Sequence, residues 1–194
     1  MHRPNLTLAS GSRYRAELLE RLRIPFRQQS PNVDETRAPS ETPEDYVMRL
    51  ACAKAAAVAP AHHEELIIGS DQAAIIDHRV LGKPETPENA VEQLLAASGK
   101  QVRFVTAVAL RDTRAGSTVC RLVPFTVHFR DLSVQAARSY VEADSPLDCA
   151  GSFRAEGYGI TLFRRLEGDD PTALVGLPLL ALCELLREAG VRLP

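Results

Sequence analysis

The sequence predicts an α/β fold with a mixed β-sheet flanked by helices, and three features of the 194-residue chain carry that prediction. Short apolar runs that read as strands alternate with stretches of helical periodicity along the whole length. Glycine and proline punctuation falls between these segments, and no repeat or low-complexity tract interrupts the pattern. Two late strand-like runs follow one another without a helix between them, so part of the sheet is antiparallel. With 45% apolar residues the chain has enough material to bury a core.

The elements follow in order. Residues 6–9 form the first strand, and Ser10-Gly11-Ser12 is a small-residue turn into a helix whose Tyr14, Leu18 and Leu22 recur every four positions, with Leu19 beside them. A second helix starts at Pro43 behind the N-cap Thr42, and its apolar stripe is Val47, Leu50, Ala51, Ala55 and Val58. Residues 66–76 are strongly apolar except for Ser70-Asp71-Gln72, which predicts a central strand with a break or bend at Asp71. After the turn at Gly82-Lys83-Pro84, Thr86 caps and Pro87 opens a helix that ends before Gly99. Residues 102–110 and 118–130 read as two strands joined by a loop containing Gly116. Ser133 caps a helix to Glu142, an irregular stretch fills 150–159, strand-like residues begin at Ile160, and a last helix runs from 179 to 189.

Composition excludes several function classes. The 23 Lys and Arg against 25 Asp and Glu leave a net charge of -2, so no global positive field attracts nucleic acid or an anionic membrane. Any polyanion bound here is small and held locally. No apolar run approaches the ~20 residues of a spanning helix, and the first residues are too short for a signal segment, which together predict a cytoplasmic protein. Cys52, Cys120, Cys149 and Cys183 are far apart and form no C-x-x-C pair, so reduced, mostly buried thiols are expected rather than disulfides or a zinc site. Among five histidines, His62 and His63 read as loop residues and His128 as a solvent-facing strand residue, and no nucleophile-base arrangement stands out.

The residues that could carry chemistry are charged groups in apolar settings and a small-residue turn. The turn before the first helix leaves backbone N–H groups at a positive helix end, and Ser10, Ser12 and Arg15 add directional donors, a combination suited to a phosphate; a capped helix start is the structural alternative. Lys54 sits on the apolar stripe of its helix, where a lysine must either snorkel to the rim or meet an anion. Lys83 is held on a constrained turn. Asp34-Glu35 in a loop and Asp71 inside an apolar strand are candidates for holding a hard divalent cation or activating water, because Mg²⁺ is usually held by one or two carboxylates plus phosphate oxygens.

Seven ordered blocks carry a family resemblance that spans nearly the whole chain: Ala9-Ser10-x-Ser12-x-x-Arg15, Asp34-Glu35-Thr36, Leu50-Ala51-x-x-Lys54-Ala55, Gly69-Ser70-Asp71-Gln72, Gly82-Lys83-Pro84, Ala150-Gly151-Ser152-Phe153 with Glu156-Gly157, and Val175-Gly176-Leu177-Pro178. In this order they resemble the Maf family of nucleoside triphosphate pyrophosphatases. The resemblance implies one domain over residues 1–194 with an elongated mixed sheet, two lobes around a nucleotide-binding cleft of the ITPase-like kind, and often a homodimer. It implies a hydrolase that cuts a nucleoside triphosphate between its α and β phosphates with a divalent metal such as Mg²⁺ or Mn²⁺. Carried onto this chain, Asp71 is the proton acceptor and Glu35 a metal or water ligand, with Asp71 also at the metal. Ser10, Ser12, Arg15, Lys54 and Lys83 are the phosphate binders. The variants Tyr14, Gln72 and Glu156 resemble the branch acting on 7-methyl-GTP: an aromatic face attracts the cationic methylated base, and a carboxylate accepts hydrogen bonds from its N1–H and amino group. Arg13 departs from the family, which usually has proline there. Two other readings stay open: a pyrophosphatase of other canonical or damaged nucleotides, and a nucleotide-sensing regulator of septum formation without turnover.

Overall fold

The structure is a computed structural model that describes residues 5–58, 60 and 64–194. His62 and His63, expected in a loop, lie outside the described residues. The elements in chain order are β1 (Asn5–Ala9), α1 (Arg13–Glu20), β2 (Arg27–Gln28), α2 (Pro43–Ala57), β3 (Glu65–Ile76), β4 (Arg79–Leu81), α3 (Pro87–Ala97), β5 (Gln101–Asp112), β6 (Ser117–Phe129), α4 (Val134–Asp144), a 3₁₀ turn (Tyr158–Leu162), β7 (Phe163–Glu167), α5 (Thr172–Val175) and α6 (Leu179–Glu188).

The seven strands form one sheet in the order β2-β1-β3-β5-β6-β7, with β4 paired to β3 off that path. Strand β1 is parallel to β2 and to β3, whereas β4 is antiparallel to β3 and β7 antiparallel to β6. Parallel neighbours need a crossover, and α1 and α2 supply it in the links from β1 to β2 and from β2 to β3. Strands β5 and β6 are neighbours joined only by residues 113–116, a link that an antiparallel pair permits and a parallel pair does not. The expected mixed sheet is therefore present. The expected caps are present as well: the hydroxyls of Thr42, Thr86 and Ser133 accept from backbone N–H groups in the first turns of α2, α3 and α4, and Ser12 does the same for α1, the structural alternative for its turn, each cap being worth about 1 kcal/mol.

The chain divides into two compact units, one of residues 1–72, 106–123 and 172–194 and one of residues 73–105 and 124–171. In the first unit a leucine-rich core gathers Leu6 and Leu8 of β1, Leu66 and Ile68 of β3, Leu18 and Leu19 of α1, and Leu182, Leu185 and Leu186 of α6. The other side of β3 meets α2 at Gly69, where an added Cβ would lie 2.0 Å from the Ala51 carbonyl oxygen and 2.8 Å from the Ala55 nitrogen. Only a glycine lets the helix backbone come so close, and that contact fixes where α2 sits along the strand. In the second unit Phe153 packs edge-on against Phe104, Phe129 and Phe163 with centroids 4.8–5.6 Å apart.

Several expectations are corrected. Strand β3 runs unbroken through Asp71, because the carboxylate meets a partner within the fold and the backbone has no need to leave the ladder. His128 is buried rather than solvent-facing: β7 pairs alongside β6, and Glu167 Oε2 lies 3.0 Å from His128 Nε2. Ile160 belongs to the 3₁₀ turn, and the last strand starts at Phe163. The four cysteines are free but only partly buried. No helix among the described residues is long and apolar enough to cross a membrane.

Candidate active site

The alternation of a β-strand explains the block Gly69-Ser70-Asp71-Gln72. Successive side chains point to opposite faces, so Gly69 and Asp71 face α2 while Ser70 and Gln72 face the other way. On the α2 side, Lys54 meets Asp71 with Nζ 2.6 Å from Oδ1. The same ammonium lies 2.8 Å from Glu35 Oε1. Lys54 and Asp71 are 6% and 7% exposed, whereas the Glu35 side chain is 58% exposed, so the pair is sunk beneath a carboxylate at the rim. A lysine on an apolar helical stripe has thus found anions rather than solvent.

On the opposite face, Ser70 Oγ donates to the carbonyls of Ala107 and Gly176 at 2.7 and 2.9 Å. The Gln72 amide donates to the carbonyls of Ala173 and Leu174 at 2.7 and 3.1 Å and to Thr106 Oγ1 at 3.0 Å. These bonds clamp α5 and the Val175-Gly176-Leu177-Pro178 block against the sheet. Gln72, expected to read the base, therefore spends its amide nitrogen on the fold.

The turn after β1 brings the remaining first-unit residues in. Ser10 is buried, and its Oγ accepts from the Ser12 backbone N–H at 3.1 Å and from Arg15 Nη1 at 3.4 Å. Ser12 caps α1, and Gln28 donates to the carbonyls of Ser10 and Ser12, closing the turn. Arg15 Nε donates to the Gly176 carbonyl at 2.8 Å. Burial pushes the Arg15 guanidinium below its ordinary pKa, and the Asp71 and Glu35 carboxylates oppose that shift. Burial likewise raises Tyr46, with the charges of Asp71 and Glu35 adding to the rise. Ser10, Arg15, Glu35, Lys54, Asp71 and Tyr46 thus belong to one electrostatic cluster. At Tyr14 the Arg13 guanidinium lies 4.7 Å over the ring and Arg13 Nη2 donates to the hydroxyl at 2.8 Å.

Lys83 and Glu156 belong to separate segments of the second unit, and both are exposed. The Lys83 turn is pinned by Gln93, which donates to the Gly82 carbonyl at 3.2 Å, and by Asn89, which donates to the Pro84 carbonyl at 2.9 Å. The segment carrying Glu156 is held by Arg154, whose N–H donates to Tyr140 Oη at 3.0 Å and whose Nη1 donates to the Asp144 carbonyl at 2.6 Å. Just before it, Ser152 adopts a left-handed backbone at φ 63° and donates through Oγ to Gln93 Oε1 at 2.6 Å.

The donor set suits a hard divalent cation. Two carboxylates converge on one ammonium, and among the described residues no group of three or more His, Cys, Asp or Glu gathers as a full protein cage. One or two carboxylates with the rest of the shell left to water and phosphate is the arrangement Mg²⁺ usually takes. The residues missed in the sequence are Tyr46 and Arg49. Tyr46 Oη donates to the Glu35 carbonyl at 2.9 Å and Arg49 Nη2 to the Thr36 carbonyl at 3.1 Å. Tyr46, Leu50 and Lys54 follow at i, i+4 and i+8 on one helix, which puts Tyr46 on the Lys54 face but names no partner for it, and Arg49 lies off that row.

A curated relative from Pseudomonas aeruginosa named 7-methyl-GTP pyrophosphatase is 53% identical over 191 residues, covering 98% of this chain and all of the relative. Relatives of the same name from Alcanivorax borkumensis and Nitrosococcus oceani are 50% and 51% identical over 98% and 96% of this chain and 97% and 94% of their own. Among solved structures, a HAM1 protein from Coxiella burnetii shares the fold with a TM-score of 0.53 at 15% identity, covering 95% of this chain and 99% of that one. The family model described as Maf-like protein matches residues 5–189, and the chain belongs to that family.

Proposed function

We propose that this chain is a cytoplasmic, metal-dependent nucleoside triphosphate pyrophosphatase that converts 7-methyl-GTP to 7-methyl-GMP and diphosphate, with residues 1–194 working as a single domain. The observation that carries the reading is the Lys54 ammonium held 2.6 Å from Asp71 and 2.8 Å from Glu35, in a chain 53% identical to a full-length relative named 7-methyl-GTP pyrophosphatase. Four free thiols fit a reducing compartment.

Asp71 is the proton acceptor. Lys54 engages Oδ1 and so fixes the plane of the carboxylate, leaving Oδ2 to take a proton from the attacking water. The water oxygen bonds to the α-phosphorus, the bond from that phosphorus to the α,β-bridging oxygen breaks, and diphosphate leaves with the electron pair. Ser10, Ser12, Arg15, Lys54 and Lys83 hold the phosphates and offset their charge. A divalent cation such as Mg²⁺ or Mn²⁺, held by Glu35 and Asp71, supplies polarisation of phosphate oxygens and activation of water when bound. Glu156 accepts hydrogen bonds from the base, Gln72 supports the base site from within the fold, and Tyr14 offers a face for the cationic ring. That the Tyr14 face holds a cation is supported by Arg13 lying 4.7 Å over it.

The same contact favours a second reading, in which Arg13 keeps Tyr14 from the base and the enzyme acts on other nucleotides. Diphosphate release from 7-methyl-GTP, GTP, dTTP, UTP and CTP, with Mg²⁺, with Mn²⁺ and with EDTA, decides between them. The proposal expects the highest kcat/KM on 7-methyl-GTP and loss of turnover in EDTA. Even activity across the panel supports the second reading, and tight binding without diphosphate release supports a nucleotide sensor.

A further inference from the structure

Glu35 presents a mechanical problem. It lies in a stretch without regular secondary structure, residues 29–42, and its side chain is largely exposed, yet its carboxylate must be held at a fixed point over a buried ion pair. Exposed loop carboxylates ordinarily wander, and a metal or water ligand displaced by about 1 Å loses much of its effect. What holds Glu35 is not the loop alone. Its backbone carbonyl accepts from Tyr46 Oη at 2.9 Å, and the next carbonyl, that of Thr36, accepts from Arg49 Nη2 at 3.1 Å. Asp34 Oδ1 accepts from the Thr36 N–H at 2.8 Å, closing the turn around Glu35 from the other side.

Tyr46 and Arg49 are themselves fixed. The Arg49 guanidinium lies 5.6 Å over the Tyr46 ring and binds Glu41 with both arms, Nε to Oε1 at 2.6 Å and Nη2 to Oε2 at 2.9 Å. Glu41 Oε2 in turn accepts from the Ala38 N–H at 3.2 Å, tying down the far side of the loop. Both donors stand on α2, the helix that carries Lys54 and is seated on β3 by the Gly69 contact. One rigid element therefore positions both the ammonium and the carboxylate that meets it.

We propose that Tyr46 and Arg49 are positioning residues that hold the Glu35 carboxylate at Lys54 and Asp71 for the hydrolytic step. This rests on the reading of Glu35 as a working carboxylate of the site. The test is a double-mutant cycle on kcat/KM for 7-methyl-GTP with Tyr46→Phe, Arg49→Met and Glu35→Gln, joined to hydrogen exchange of the amides at 34–38 in the nucleotide-free protein. Tyr46→Phe deletes one hydrogen bond and keeps the ring, so kcat/KM is expected to fall about 3- to 10-fold. Arg49→Met is expected to cost about as much or more, with faster exchange at 34–38, an unchanged Tm, and little further loss when either change is added to Glu35→Gln. The inference is overturned if either variant stays within twofold of the parent while Glu35→Gln does not. It is equally overturned if the losses persist in full in the Glu35→Gln background, or if exchange rises throughout the protein together with a lower Tm. If Glu35→Gln itself stays within twofold of the parent, the reading of Glu35 fails first and the inference goes with it.

Discussion

In the first unit the Lys54 ammonium and the Asp71 carboxylate are all but closed off from water and lie 2.6 Å apart, whereas in the second unit Lys83 and Glu156 are exposed on turns. The first pair is bound into the fold: α2 and β3 hold it, and removing either charge leaves the other buried against a weaker partner. In the second unit the segments are held through their backbones, by Gln93, Asn89 and Arg154, in bonds that do not use the Lys83 and Glu156 side chains. Fixed charges of the first kind suit chemistry on phosphate, because they need no reorganisation during the reaction. Exposed groups of the second kind suit recognition, because they can change without unsettling the core. Mutations should therefore separate the two regions by whether activity and stability fall together.

The largest effect is expected at Asp71. Asp71→Asn removes the carboxylate proposed as proton acceptor while keeping the size of the side chain, and kcat on 7-methyl-GTP should drop by about 10²- to 10⁴-fold. Circular dichroism should be unchanged. Turnover near the parent's would take Asp71 out of the chemistry and erase the distinction drawn between the two units.

Lys54→Met comes next and tests the stability side. It leaves the Asp71 carboxylate buried with no ammonium beside it, a loss of about 3 kcal/mol. Urea melts should show the midpoint falling at constant slope, and activity should fall as well. A midpoint within experimental scatter of the parent's would mean that the pair adds nothing to the fold and that water already reaches Asp71.

How much of this was legible in the sequence follows from the same contrast. Lys54 and Asp71 were readable because a charge on an apolar stripe or in an apolar strand breaks a periodicity that the rest of the segment keeps, and such a break needs a partner. The helices α2 and α3 were readable from their caps, Thr42 with Pro43 and Thr86 with Pro87. What stayed illegible was short or nonlocal. Strand β2 is two polar residues and α5 is four residues, too few for any period to show. The burial of His128 depends on β7, 35 or more positions further on, and the roles of Gln72 and Arg15 depend on carbonyls of Ala173 and Gly176 about a hundred positions or more away. Tyr46 and Arg49 read as ordinary helix residues because their partners are backbone carbonyls of a loop that carries no pattern of its own.

The smallest effect, and the one that sharpens the comparison most, belongs to Glu156. The Glu156 carboxylate, proposed to accept from the N1–H and amino group of a cationic base, loses its charge, but not its shape, in Glu156→Gln, and an amide placed there presents a donor where the proposal needs an acceptor. The ratio of kcat/KM for 7-methyl-GTP over GTP should fall about 10-fold, equivalent to about 1.4 kcal/mol of discrimination. Because the side chain is exposed and its segment is held instead by Arg154 and Tyr140, the unfolding free energy should move by less than about 0.5 kcal/mol. Unchanged selectivity would take base recognition away from Glu156. A large loss of stability would break the comparison itself, since it would mean that this turn, like the Lys54 and Asp71 pair, depends on its charge to fold.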